Sequence, residues 1–187
     1  MLARKIQPMS AEEFLREFEG VEGKWELVDG EPRMMAGGSI RHADVALNIS
    51  TALRVKLRGT GCRPYNSDTG LGLADDNIRY PDVAIYCDPR DLGRDRIATK
   101  TFNHPVVVFE VLSPSTAYYD RGDKVARYRE IESVKVIVLV DPVARTFETY
   151  ERLDADSWRV GRHPVGATLE LAQPRVTLSA DEMFAED

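Results

Sequence analysis

The sequence predicts a mixed α/β domain. Two apolar, β-branched runs, residues 106–112 and 134–140, have the composition of strands covered on both faces. A helical stretch, residues 118–131, lies between them, and a strand–helix–strand order of this kind forms a right-handed crossover between parallel strands. Asp29-Gly30 is a hairpin turn between two extended segments, so the rest of the sheet structure is antiparallel or mixed.

The elements follow from local signals. Ser10 and Glu13 have capping-box spacing, and Phe14, Leu15 and Phe18 give the helix behind them an apolar face. Residues 24–28 and 31–35 are the strands of the hairpin. Gly37-Gly38 breaks the chain, and Val45, Ile49, Leu53 and Leu57 then recur at helical spacing across a long helix, residues 40–57. Gly59 and Gly61 end it. Extended segments follow at 62–67, 69–73 and 79–86, with Gly70-Leu71-Gly72 marking a bulge or a close backbone approach. Residues 88–104 are polar and read as a loop with a short helical turn. After the two buried strands, 145–151 and 158–162 alternate as outer strands, and Ser179 with Glu182 caps a short last helix.

A chain of 187 residues is the length of one domain with room for a hydrophobic core, so residues 1–187 read as a single domain. Its core spans about residues 10–150, and 151–187 supply C-terminal strands and the short helix. No apolar run approaches the ~20 residues of a membrane helix. The N-terminus has Arg4 and Lys5 without an apolar stretch behind them, and does not read as a secretory signal. A cytoplasmic location is therefore expected, with Cys62 and Cys87 as reduced thiols. Neither the two cysteines nor the scattered His42, His104 and His163 have the spacing of a zinc site. The net charge of −6 argues against a protein that coats nucleic acid, but not against an enzyme that touches it locally.

Glu110 is the most informative residue. It interrupts Val-Val-Val-Phe-Glu-Val-Leu, a strand otherwise built for burial, where a carboxylate must be paired, protonated or bound to a cation. Alternation puts it on one face with Val106, Val108 and Leu112. It can be half of a structural ion pair or a metal ligand. Asp82 heads the run Val-Ala-Ile-Tyr after Pro81, which is also an ordinary turn pair. Two carboxylates on neighbouring strands accommodate a hard cation such as Mg²⁺. Asp120, Lys124 and Tyr128 form a stripe on the following helix, and Lys124 can reach back over the strand end. An exposed Asp–Lys helix pair explains the same spacing.

Several stretches occur together and in order. They are Glu-Leu-Val-Asp-Gly at 26–30, Arg-Tyr-Pro-Asp-Val-Ala at 79–84, Phe-Glu-Val-Leu-Ser-Pro-Ser-Thr at 109–116, Asp-x-x-x-Lys-x-x-x-Tyr at 120–128 and Val-Ile-Val-Leu-Val-Asp-Pro at 136–142. This pattern resembles the Uma-two family of bacterial restriction endonucleases, within the PD-(D/E)XK nuclease superfamily, from about Ser10 to about Tyr150. The resemblance implies a restriction-endonuclease-like core and a Mg²⁺- or Mn²⁺-dependent endonuclease acting on DNA. It implies Asp82 and Glu110 as metal-binding carboxylates and the Val111 carbonyl as a further ligand. The superfamily places a lysine two residues after the second acid; here Leu112 stands there, and Lys124 matches the position to which the family moves the lysine. Its implied role is to orient the attacking water and stabilise developing charge.

Glu26 matches the first motif and is either an additional site carboxylate or an exposed hairpin residue. His42, at the start of the long helix, is expected to be neutral because a helix N-terminus lowers an imidazole pKa; it can contact phosphate, cap or pack. Ser113 and Thr116 can bond a phosphate or simply cap a turn. Arg41, Arg54, Lys56 and Arg58, and Arg90, Arg94, Arg96 and Lys100, can contact a phosphate backbone or form solvated faces. The alternative function is a catalytically inactive nuclease-fold module that binds DNA or protein; a small phosphoester is the alternative substrate. A homodimer is expected on base rates.

Overall fold

The structure, a computed structural model, describes residues 8–95, 97–113 and 120–186, with Asp120 described by its backbone alone. A six-stranded sheet runs in the order β11-β10-β9-β8-β6-β3. Its centre is β8 (Pro105–Val111) beside β9 (Val136–Asp141), paired parallel as the crossover predicts. All its other pairings, involving β6 (Val83–Tyr86), β3 (Arg63–Asn66), β10 (Thr146–Arg152) and β11 (Trp158–His163), are antiparallel.

Helix α2 (Ile40–Lys56) covers one face of this sheet. Val45, Ile49 and Leu53, one turn apart, pack against Val83, Ile85, Val107, Phe109 and Val138. The hairpin β12 (Leu169–Ala172)–β13 (Arg175–Leu178) and the last helix, α5 (Ala180–Phe184), close the same core. The other face, with Val108, Leu112, Ile137 and Leu139, packs on Val125 and Tyr128 of α4 (Val125–Glu130). Burial on both faces is why β8 and β9 read as continuous apolar runs.

A second sheet has the order β2-β1-β5-β4-β7. Its hairpin is β1 (Trp25–Val28) and β2 (Glu31–Met34), turning at Asp29 and Gly30, both with positive φ. Helix α1 (Ala11–Glu17), held by the expected Ser10–Glu13 capping box, packs Phe14 on Leu27 and Ile78. Gly70 and Gly72 of β4 (Gly70–Gly72) mark a close approach: a Cβ on Gly72 would stand 2.6 Å from Asn103 Nδ2.

Some expectations are corrected. Residues 79–86 are not one strand. β5 (Ile78–Arg79) belongs to the second sheet and β6 to the first, and Pro81, which has no N–H to donate, lies between them. The loop 88–104 holds α3 (Pro89–Leu92) and β7 (Thr101–Phe102), whose two residues pair parallel with β4. The helix expected over 118–131 opens, within the described residues, as a π-helical turn, Asp120–Lys124, before becoming α4. Cys62 and Cys87 form a disulfide, not free thiols, because the antiparallel pairing of β3 with β6 brings together positions 25 residues apart. No helix among the described residues is long and apolar enough to cross a membrane.

Candidate active site

Glu110 is 2% exposed, one of the few charged groups inside the protein. Its Oε2 lies 3.0 Å from Lys124 Nζ, and its Oε1 accepts a hydrogen bond from the Tyr128 hydroxyl at 2.6 Å. Alternation along β8 turns Glu110 toward the α4 face, where Lys124 and Tyr128, one turn apart, project onto it. Burial and the Glu110 charge raise the Tyr128 pKa well above its usual value, so its hydroxyl stays a donor.

Asp82 stands at the entry to β6, on the neighbouring strand. The register pairs Val83 with Phe109, which makes Asp82 and Glu110 the next positions outward. Asp82 Oδ2 accepts from the Val111 amide at 2.7 Å and lies 3.3 Å from His42 Nε2. The main chain of β8 thereby fixes the carboxylate. His42 is presented by the first turn of α2, where Ser39 Oγ accepts its amide. Gly38 leaves room for the ring: a Cβ there would sit 2.7 Å from His42 Nδ1. The expected lowering of the His42 pKa is corrected. The Asp82 hydrogen bond outweighs burial and raises the His42 pKa, with the Asp82 and Glu110 charges adding to the effect.

Glu26 is not an exposed hairpin residue. It is 6% exposed, accepts from the Tyr80 amide at 3.3 Å, and lies 3.6 Å from Arg79 Nη1. Arg79 is fully buried and reaches Asp123 Oδ2 at 3.1 Å through Nη2. The chain of charges Glu26–Arg79–Asp123 thus ends one residue before Lys124. Sequence reasoning missed Arg79 and Asp123 as contributors. The available signal was a lone cation between Ile78 and Tyr80, in an otherwise buried stretch.

The structure therefore brings Asp82, Glu110, Lys124, Tyr128, His42 and Glu26 together around one end of β8. Val111 lies there through its amide, and Ser113 follows the strand half-buried. Thr116 and the Asp120 side chain lie outside the described residues. Among the described residues, no three His, Cys, Asp or Glu side chains converge as a ready-made metal cluster. Several candidate phosphate-contacting cations are already occupied. Arg41 bonds the Pro142 carbonyl and Glu186, Lys56 bonds Glu182, Arg90 bonds Asp88 and Lys100 bonds Glu19.

The model of the Uma2 family, described as "Putative restriction endonuclease", matches residues 11–180. The chain belongs to the Uma2 family. It is 32% identical over 177 residues to an uncharacterized protein, slr1290, of a Synechocystis strain, a match that covers 94% of this chain and 91% of the relative. A second uncharacterized Synechocystis protein, sll1609, is 27% identical over 160 residues, covering 84% of this chain and 89% of that one. Among solved structures, a protein of Anabaena variabilis described as a putative nuclease belonging to DUF820 superposes with a TM-score of 0.74. The superposition covers 95% of this chain and 98% of the other at 16% identity, so it is the fold that is shared.

Proposed function

We propose that this Uma2 protein is a divalent-metal-dependent phosphodiester hydrolase, an endonuclease acting on DNA, with Asp82, Glu110 and Lys124 as its working residues. The observation that carries the reading is the 3.0 Å approach of Lys124 Nζ to Glu110 on the strand beside Asp82. A lysine with no role at the carboxylates would have left its ammonium in water, where Lys side chains normally end.

The donor set suits a hard cation. Asp82, Glu110 and the Val111 carbonyl are oxygen donors of the kind Mg²⁺ and Mn²⁺ take. When bound there, the ion would supply a more acidic water and positive charge beside the scissile phosphate. The chain's own residues do the positioning. Val111 N–H and His42 hold Asp82, and Tyr128 holds one oxygen of Glu110. Lys124 brings a positive charge to where the attacking water and the developing phosphate charge would lie. Glu26, Arg79 and Asp123 anchor the turn that carries Lys124.

A second reading, a non-catalytic module that binds DNA or protein, is favoured by one fact. Lys124 and Tyr128 already satisfy both Glu110 oxygens, so the buried charge is supported without a cation. Calorimetry with Mn²⁺ and nicking of supercoiled plasmid DNA separate the two. Nuclease action predicts saturable Mn²⁺ binding that is lost in Asp82→Ala, and nicking that is lost in Asp82→Ala and Lys124→Ala. Neither binding nor nicking at millimolar Mn²⁺, with or without DNA, would overturn the nuclease reading and favour the module.

A further inference from the structure

Helix α2 turns Val45, Ile49 and Leu53 inward, and its opposite side carries a second pattern. Ile40, Asp44, Leu47, Thr51 and Val55 follow at spacings of three and four, so they line one stripe, Arg58 follows in the turn just past the helix end, and all are exposed. Ile40 is 83%, Leu47 65% and Val55 59% exposed. The exposed Val143 adjoins the start of the helix, because Arg41 Nε bonds the Pro142 carbonyl. Charge along the stripe is polarised. Asp44 lies near the N-terminal end, and Arg54 and Arg58 lie at the C-terminal end. None of the three has a side-chain hydrogen bond or ion pair among the described residues, whereas the nearby Lys56 is held by Glu182 and the Thr177 carbonyl.

We infer that this stripe is a self-association surface, occupied by α2 of a second copy of the same chain running antiparallel. A parallel partner would set Asp44 against Asp44 and arginine against arginine, which is unfavourable. An antiparallel partner sets Asp44 of each copy against the Arg54–Arg58 end of the other. Leu47 then faces Val55 across Thr51, which lies at the twofold axis and is small enough to let the helices approach. Each contact occurs twice, as a twofold interface requires. The pairing also fixes the two sites relative to each other: with 1.5 Å rise per residue, the two His42 positions stand about 27 Å apart along the helices.

Sedimentation velocity on the full chain, from low concentration to about 100 µM, tests this. The native chain is expected to be dimeric and Leu47→Glu monomeric, with unchanged circular dichroism because Leu47 is exposed. Asp44→Arg and the double change Arg54→Asp, Arg58→Asp should each raise the dimer Kd at least about tenfold. Mixed together, these two charge variants should form a heterodimer, since every reversed charge then meets its opposite. A native chain that stays monomeric, a Leu47→Glu chain that stays dimeric, or a mixture that fails to associate overturns the inference.

Discussion

Lys124 and Glu110, 14 residues apart in the chain, meet at 3.0 Å inside the protein. Both are under a tenth exposed, so each charge depends on the other. Removing one partner of such a pair costs about 3–5 kcal/mol, while replacing both with apolar groups is close to neutral. Lys124→Met should therefore unfold at clearly lower urea than the native chain, and Lys124→Met with Glu110→Leu should recover most of the loss. If the single and double variants share one midpoint, the two charges do not support each other.

Tyr128→Phe removes the hydroxyl that donates to Glu110 Oε1 and keeps the ring. Leaving that buried oxygen one hydrogen bond short should cost about 1–3 kcal/mol. The pH dependence has a defined sign. The folded Tyr128 pKa is raised, so its contribution is complete below the unfolded value of 10.0 and is lost as pH rises above it. Chemical denaturation at pH 9 and pH 11 should show a smaller drop in stability for Tyr128→Phe than for the native chain. An equal drop in both would contradict this.

Arg79→Met should be among the most damaging single changes. It leaves the buried Glu26 with the Tyr80 amide but without its cation and releases Asp123, at a cost of about 3–5 kcal/mol. Adding Glu26→Leu should return a large part of it. Thermal unfolding of the single and double variants measures the coupling, and strictly additive losses would count against a shared charge network.

The Cys62–Cys87 disulfide closes a loop of 25 residues, and a cross-link of that length contributes about 3 kcal/mol by restricting the unfolded chain. Reduction with dithiothreitol, or Cys87→Ser, should lower the unfolding midpoint accordingly. Mass spectrometry of the native chain under denaturing alkylation should find both cysteines protected.

Much of this was legible in residue patterns, and the misses have common causes. The parallel β8–β9 pair was readable because burial on both faces leaves an unbroken apolar run, and Glu110 stood out against that background. The hairpin at Asp29-Gly30 and both capping boxes are local, so a few residues carry the whole signal. The burial of Glu26 was not readable: its partner Arg79 lies on β5, and the pairing of β1 with β5 is non-local. His42 was misjudged for a related reason. A helix N-terminus lowers an imidazole pKa, but a carboxylate at 3.3 Å outweighs it, and nothing near His42 in the sequence announces Asp82. The π-helical turn before Lys124 leaves no periodic signature in five residues.

The break at Pro81 has a mechanical consequence. Arg79, Tyr80 and Asp82 lie on one short strap that leaves the second sheet at β5 and enters the first at β6. Its upstream end grips Glu26, and its downstream end carries the Asp82 carboxylate pinned to Val111. The placement of Asp82 is therefore set by how both sheets are seated, not by β6 alone.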